Sequence, residues 1–153
     1  MPRRAAANRI PRSRASRRVF IDTSAFGALA DENDDHHQDA IAILDRLVEV
    51  GYGQFTSNTV VVESHALIVS GIGINAGLRF LSEVEASRIA RVRVRPADEQ
   101  AALEILFRYD DKDFSFADAT SFALMRRLGI TLAFTFDSHF AQMGFIIATA
   151  ENV

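Results

Sequence analysis

The chain has no cysteine. That removes disulfides, zinc–thiolate sites and thiol nucleophiles, and it fits a reducing cytoplasm. No apolar run approaches the roughly 18 residues of a membrane span. Lysine is reduced to one residue, Lys112, in a polar loop. A phospho-receiver domain, which expects a lysine after a late strand, is therefore a poor fit. Acids are missing altogether from residues 1–18, which carry seven of the 17 basic residues. The remaining ten face all 20 acids, so residues 19–153 carry a net charge of −10.

What is present describes one domain. A chain of 153 residues with 48% hydrophobic and 24% charged residues suits a soluble globular protein with a sizeable core. Residues 1–17 read as a basic tail. Two of the three prolines, Pro2 and Pro11, lie there, and no hydrophobic period runs through it, so disorder is expected. Its Arg- and Ser-rich composition also resembles an organelle transit peptide, and it could help hold an anionic polymer or reflect a mis-assigned start. Asp22 interrupts the first apolar stretch too early for a secretory signal. The tail is expected to be dispensable for chemistry.

From residue 18 onward, strand and helix patterns alternate. Val19–Ile21 reads as a strand and Ser24–Ala30 as a short helix. A helical face of Ala40, Ile41, Leu44, Leu47 and Val48 ends near Gly51. "GQFTSN" is a strand, and "TVVVESHALIV" is apolar nearly all round, as a buried helix would be. Leu78, Phe80, Leu81 and Val84 suggest another helix. "RVRVR" (91–95) alternates as a half-exposed strand, and Pro96 opens a further helix to about Arg108. A helix from Ser115 stops at Gly129. "TLAFTF" (131–136) and "FIIAT" close the strands. Alternation of this kind implies βαβ units and a parallel sheet covered on both faces. In such sheets ligands gather outside the carboxyl ends of the strands.

Carboxylates stand where that rule places a site. Asp22 follows Val19-Phe20-Ile21 directly, and Asp137 follows Leu132–Phe136 in the same manner. Either alone could simply cap a helix. Glu63 lies about one turn inside an otherwise apolar helix, where a glutamate needs an arginine or a cation. Asp118 completes Ser115-Phe116-Ala117-Asp118, a capping box, though its neighbours Phe116, Ala117, Ala119, Phe122 and Ala123 are apolar. Four acids at one sheet edge would repel each other without a counter-charge. Hard oxygen donors in such a group select Mg²⁺ or Mn²⁺, and the fitting chemistry is phosphodiester hydrolysis.

The stretches "VFIDTSAFGAL", "TSNTVVVESHAL", "DKDFSFADATSFALMRRLGI" and "AFTFDSHFAQMGF" resemble, in order and spacing, the PIN-domain ribonucleases, and most closely the VapC-type toxins of toxin–antitoxin pairs. The resemblance covers roughly residues 18–148, within a domain expected over 18–153. It implies a three-layer α/β/α fold with a central, mostly parallel sheet. It also implies Mg²⁺- or Mn²⁺-dependent endoribonuclease activity, with an RNA substrate, a cognate antitoxin, an open question of homodimerisation and no membrane. Carried over, Asp22, Glu63, Asp118 and Asp137 are the catalytic and metal-holding quartet. Thr23 would help position the site, and Asp113 matches a further acid of this branch, ranked below the four.

Other features have plainer readings. His36 and His37 begin a solvated helix, and His139 orients the Asp137 loop. Arg91, Arg93 and Arg95 read as charges that protect an edge strand, with RNA contact as the alternative. Arg126 and Arg127 suit a helix C-terminus, with phosphate binding as the alternative. Two other functions stay open: a housekeeping RNA-processing nuclease of the same fold, and an inert RNA- or protein-binding module. A haloacid dehalogenase phosphatase is disfavoured, since Ser24 stands where it expects a second aspartate.

Overall fold

Val19, Phe20 and Ile21 are each no more than 1% exposed, so the first strand, β1 (Arg18–Ile21), is covered on both faces. A strand with no solvent face belongs at the centre of a parallel sheet. The computed structural model, which describes residues 17–153, places it there. The tail expected over residues 1–17 lies outside this description except for Arg17, whose side chain donates to the Val50 carbonyl at 3.3 Å.

After β1 come α1 (Thr23–Ala30), α2 (His37–Val50), β2 (Gly53–Ser57), α3 (Asn58–Gly71), α4 (Ile74–Ala86) and β3 (Ala90–Val92). Then follow α5 (Pro96–Arg108), α6 (Phe116–Leu128), β4 (Leu132–Phe134), α7 (His139–Gln142) and β5 (Ile146–Ile147). All strand pairs are parallel, in the order β3-β2-β1-β4-β5, with helices on both faces. This is the expected three-layer α/β/α arrangement. The chain moves outward from β1 through β2 to β3, then crosses to the other side as β4. The order therefore reverses between β1 and β4, where a parallel sheet opens a crevice at its carboxyl edge.

The boundaries follow local chemistry. Ser57 caps α3 through Val60 N–H at 3.0 Å, and Gly51 and Gly129 end α2 and α6 in the left-handed conformation that glycine adopts freely. Gly77 serves close packing instead. A β-carbon there would stand 2.5 Å from Val69 Cγ2, so α3 and α4 meet at a distance only glycine allows. Phe122 is the hub of a ring cluster with Phe114, Phe140 and Phe145 at centroid distances of 5.2, 4.9 and 5.8 Å. The phenylalanines of the "SFALM" and "HFAQMGF" stretches are thus core residues that seat α6 and α7 against each other. Among the described residues, no helix is long and apolar enough to cross a membrane.

Two expectations need correction. β3 stops at Val92 rather than running to Arg95, because its partner ends: Val92 pairs with Ser57, where β2 turns into α3. The next contact is the Val94 N–H on the Asn58 side chain at 2.9 Å. β3 does form the sheet edge that Arg91, Arg93 and Arg95 were expected to guard, although only Arg91 lies within the strand. The helix α3 is not buried all round. Val60, Val61, Ser64 and Ile68 face inward, while Val62 is 71% and Leu67 56% exposed, since α1 and α4 pack on α3 and nothing among the described residues covers its remaining face.

Candidate active site

The site begins with one carboxylate at the centre of the sheet. Asp22 ends β1 and caps α1, its Oδ2 accepting from Ser24 N–H at 3.4 Å. Capping is only part of its environment. The Ser24 hydroxyl lies 3.0 Å from the same oxygen, the Thr135 hydroxyl 2.9 Å, and the two hydroxyls stand 3.0 Å from each other. Two hydroxyls thus converge on Oδ2 and on each other. Ser24 Oγ also accepts from Phe136 N–H at 2.9 Å, and Thr135 Oγ1 from Asp137 N–H at 3.0 Å. The two hydroxyls therefore tie Asp22, at the end of β1, to the backbone that carries Asp137 beyond β4.

Asp137 is half-buried and its Oδ1 accepts the His139 backbone N–H at 2.9 Å, which starts α7. Asp118 forms the expected capping box: its N–H donates to Ser115 Oγ at 3.0 Å and its Oδ2 accepts from Ser115 N–H at 3.1 Å. The same Oδ2 lies 3.0 Å from His139 Nδ1, and Asp137 Oδ1 lies 3.3 Å from that nitrogen. One ligand atom from each of Asp118, Asp137 and His139 falls within 4.8 Å of the others. The imidazole is held edge-on against Phe114 at 5.3 Å.

Titration behaviour joins the remaining acids to this group. Burial pushes Asp22 above the ordinary aspartate value, against the opposing hydrogen bonds of Thr135, Thr23 and Ser24. Burial also raises Glu63, and the negative charges of Asp22 and Asp118 raise it further, while a hydrogen bond from Thr23 opposes them. Glu63 thus faces two of the other acids, with Thr23 beside it. The hydrogen bond with Asp118 raises His139, and the charges of Asp137, Asp118 and Asp113 add to it. Asp113 is exposed on the loop before α6 and belongs to the rim.

Asp22, Glu63, Asp118 and Asp137 therefore share one carboxyl edge, and among the described residues none is paired with an arginine or lysine. Carboxylate oxygens that no protein cation balances among the described residues, with a single imidazole beside them, suit a hard divalent cation. Two participants were not singled out in the sequence: Ser24 and Thr135, which meet across 111 positions. His139, read there only as orienting its loop, also reaches the Asp118 carboxylate. A threonine in an apolar strand reads as a strand former, so only its burial beside a carboxylate betrays it. Arg127, a candidate phosphate contact, is committed elsewhere. Its Nε donates to Asp98 Oδ1 at 2.7 Å and its second nitrogen to Oδ2 at 2.9 Å, fastening α6 to α5.

Comparisons with known proteins place the chain in a family. A family model described as PIN domain matches residues 19–146. A curated protein of Mycobacterium tuberculosis, the 23S rRNA-specific endonuclease VapC20, is 36% identical over 134 residues, which cover 87% of this chain and 99% of that protein. The crystal structure of VapC20 from the same organism, described as a Sarcin-Ricin loop cleaving toxin, matches with a TM-score of 0.75 at 34% identity. That match covers 84% of this chain and 96% of the solved one. FitAcB from Neisseria gonorrhoeae matches with a TM-score of 0.63 and 14% identity over 88% of this chain and 99% of that one, a likeness of fold alone.

Proposed function

We infer function from family: this chain belongs to the PIN domain family, and we propose that it is a divalent-metal-dependent endoribonuclease toxin of the VapC type, working in the cytoplasm. The observation that carries the reading is the group of Asp22, Glu63, Asp118 and Asp137 at the crevice between β1 and β4, with no arginine or lysine to balance it among the described residues. Mg²⁺ or Mn²⁺ would be held by these carboxylates. When bound, the cation supplies the positive charge that neutralises the phosphodiester and acidifies an attacking water. The residues of the chain do the rest. Ser24 and Thr135 keep Asp22 and the Asp137 loop in register, Thr23 steadies Glu63, and the Ser115 box and His139 fix the Asp118 carboxylate. If the His139 nitrogen joins the oxygen set, the preference moves toward Mn²⁺, since imidazole suits it better than Mg²⁺.

VapC20 is described as acting on 23S rRNA, which makes structured ribosomal RNA the first substrate to test here. A toxin kept in its own cell requires an inhibitor, so a cognate antitoxin is the expected protein partner. The exposed Val62 and Leu67 of α3 and Ile74 and Leu78 of α4 support a second copy as a further partner. The test is incubation of the purified chain with ribosomal RNA in Mg²⁺ and then in Mn²⁺, with the new ends mapped at nucleotide resolution. The reading expects one or a few discrete cuts that EDTA abolishes. Absence of cutting in either metal would reject it.

A further inference from the structure

The acids and their hydroxyl supports deal with a phosphate. An aromatic pair beside them is left unused by that chemistry. His36, the residue before α2, lies flat on the ring of Phe136, with centroids 4.4 Å apart and planes within 10°. His36 is exposed and Phe136 half-buried, so this stack has a wet side. Phe136 is backed edge-on by Phe134 at 6.2 Å.

The pair is held firmly on both sides. The His36 N–H donates to Asp34 Oδ1 at 2.8 Å, and the ring of the next residue, His37, reaches the Ala28 carbonyl at 2.7 Å. The Phe136 N–H is fixed by Ser24 Oγ, and Phe136 sits between Thr135, which donates to Asp22, and Asp137 itself. Consecutive Cα atoms are about 3.8 Å apart, so the platform begins within one residue of the acids. Beside Phe136 opens a cavity of about 290 Å³, lined also by Asp39, Ala42, Ala148 and Thr149.

Charge narrows what this surface accepts. Asp34, Asp35 and Asp39 surround the ring in sequence, and a phosphate would be repelled there. A nucleobase carries no such charge, offers a π-face to stack, and presents amino groups that carboxylates accept. We propose that the His36–Phe136 pair is a nucleobase platform, on which a base next to the scissile phosphate stacks against the open face of His36. The proposal rests on the endoribonuclease reading and adds to it where the RNA lies and which residue grips a base.

The test pairs protein and RNA variants on the oligonucleotide that spans the mapped cut. His36→Ala should lower kcat/KM about tenfold, the order expected for one base–aromatic stack. His36→Tyr should restore most of that loss, and His36→Leu, which still covers Phe136, should not. In wild-type protein, an abasic nucleotide at one position flanking the cut should cost a similar factor. Combined with His36→Ala, that abasic change should cost nothing further, which a merely structural His36 would not produce. Melting temperatures of the Leu and Tyr variants check that they fold alike. Equal rescue by Leu and Tyr, or additive losses at every flanking position, would overturn the platform. Failure of wild-type protein to cut any RNA would instead remove the endoribonuclease reading beneath it.

Discussion

Asp22 and Asp98 are both buried carboxylates, 7% and 3% exposed, yet they titrate in opposite directions. The Arg127 guanidinium grips Asp98 with two hydrogen bonds, and the Arg95 N–H adds a third at 2.8 Å, so the Asp98 carboxyl is held below the ordinary aspartate value. Asp22 has hydroxyls and amides but no cation, and burial raises it. The first arrangement is complete as folded and needs nothing from outside. The second holds negative charge that the described protein does not balance, a sound expense only if something binds there. A buried acid thus declares its role by its partner more than by its burial.

The most forceful way to sharpen this contrast is to neutralise each carboxylate. Asp22→Asn keeps an acceptor oxygen and removes the charge. RNA cleavage should fall by at least about 100-fold, by the scale of losses at metal sites, while metal-free stability should rise. Asp98→Asn should leave cleavage by folded protein intact and lower stability. Both are read from single-turnover cleavage and thermal melting of the same preparations.

Breaking the complete pair from its other side comes next. Arg127→Ala leaves Asp98 buried and uncompensated, at a cost of about 3 kcal/mol. The melting temperature should drop by about 10 °C for a domain of this size. Cleavage well below that temperature should not change, since Arg127 is committed to α5. A tenfold loss of cleavage with a normal melting temperature would instead give Arg127 a role on RNA.

The pH dependence of stability should show two opposed trends. Asp22 and Glu63 are raised, so the folded chain keeps protons that the unfolded chain has released. Without metal, stability should decline as pH rises from the ordinary values of 3.8 and 4.5 through their higher folded values. Asp98 is lowered, so its contribution is complete above 3.8 and disappears as pH falls through its folded value. Urea titrations from pH 3 to 8 in EDTA should show the decline, and Asp22→Asn should flatten it. An unchanged profile in Asp22→Asn would mean that Asp22 is not held at a cost.

The smallest effect separates the two duties of Asp118. Asp118→Ala loses the capping acceptor at a cost of about 1 kcal/mol, and Asp118→Asn should keep most of that stability. Both should be nearly inactive if the charge is what the site uses. Near-normal cleavage by the Asn variant would leave capping as its sole duty.

Much of this was legible in the residue order because a parallel sheet converts strand ends into one edge. Asp22 and Asp137 could be placed together from the apolar runs before them, and Glu63 stood out against its apolar helix. The capping box of Asp118 needed only four consecutive residues. What could not be read depends on contacts between distant elements. Asp98 and Arg127 lie 29 positions apart, each with an ordinary helix-end explanation. The Ser24–Thr135 pair spans 111 positions, and the stack of His36 on Phe136 depends on how a polar loop folds over the sheet edge. The exposed face of α3 was missed for a related reason, since apolar composition shows that a surface seeks cover without showing whether the same chain supplies it.

The most direct test of the central claim, that these acids await a divalent cation, is the melting temperature of wild-type and Asp22→Asn protein at neutral pH, with and without Mg²⁺ or Mn²⁺. A ligand that binds only the folded state raises the melting temperature as its concentration exceeds its dissociation constant. Wild-type protein should melt higher with metal. Asp22→Asn should melt higher than wild type in EDTA and respond little to metal. A wild-type melting temperature indifferent to both ions, or an equal metal response in the two proteins, would contradict the account.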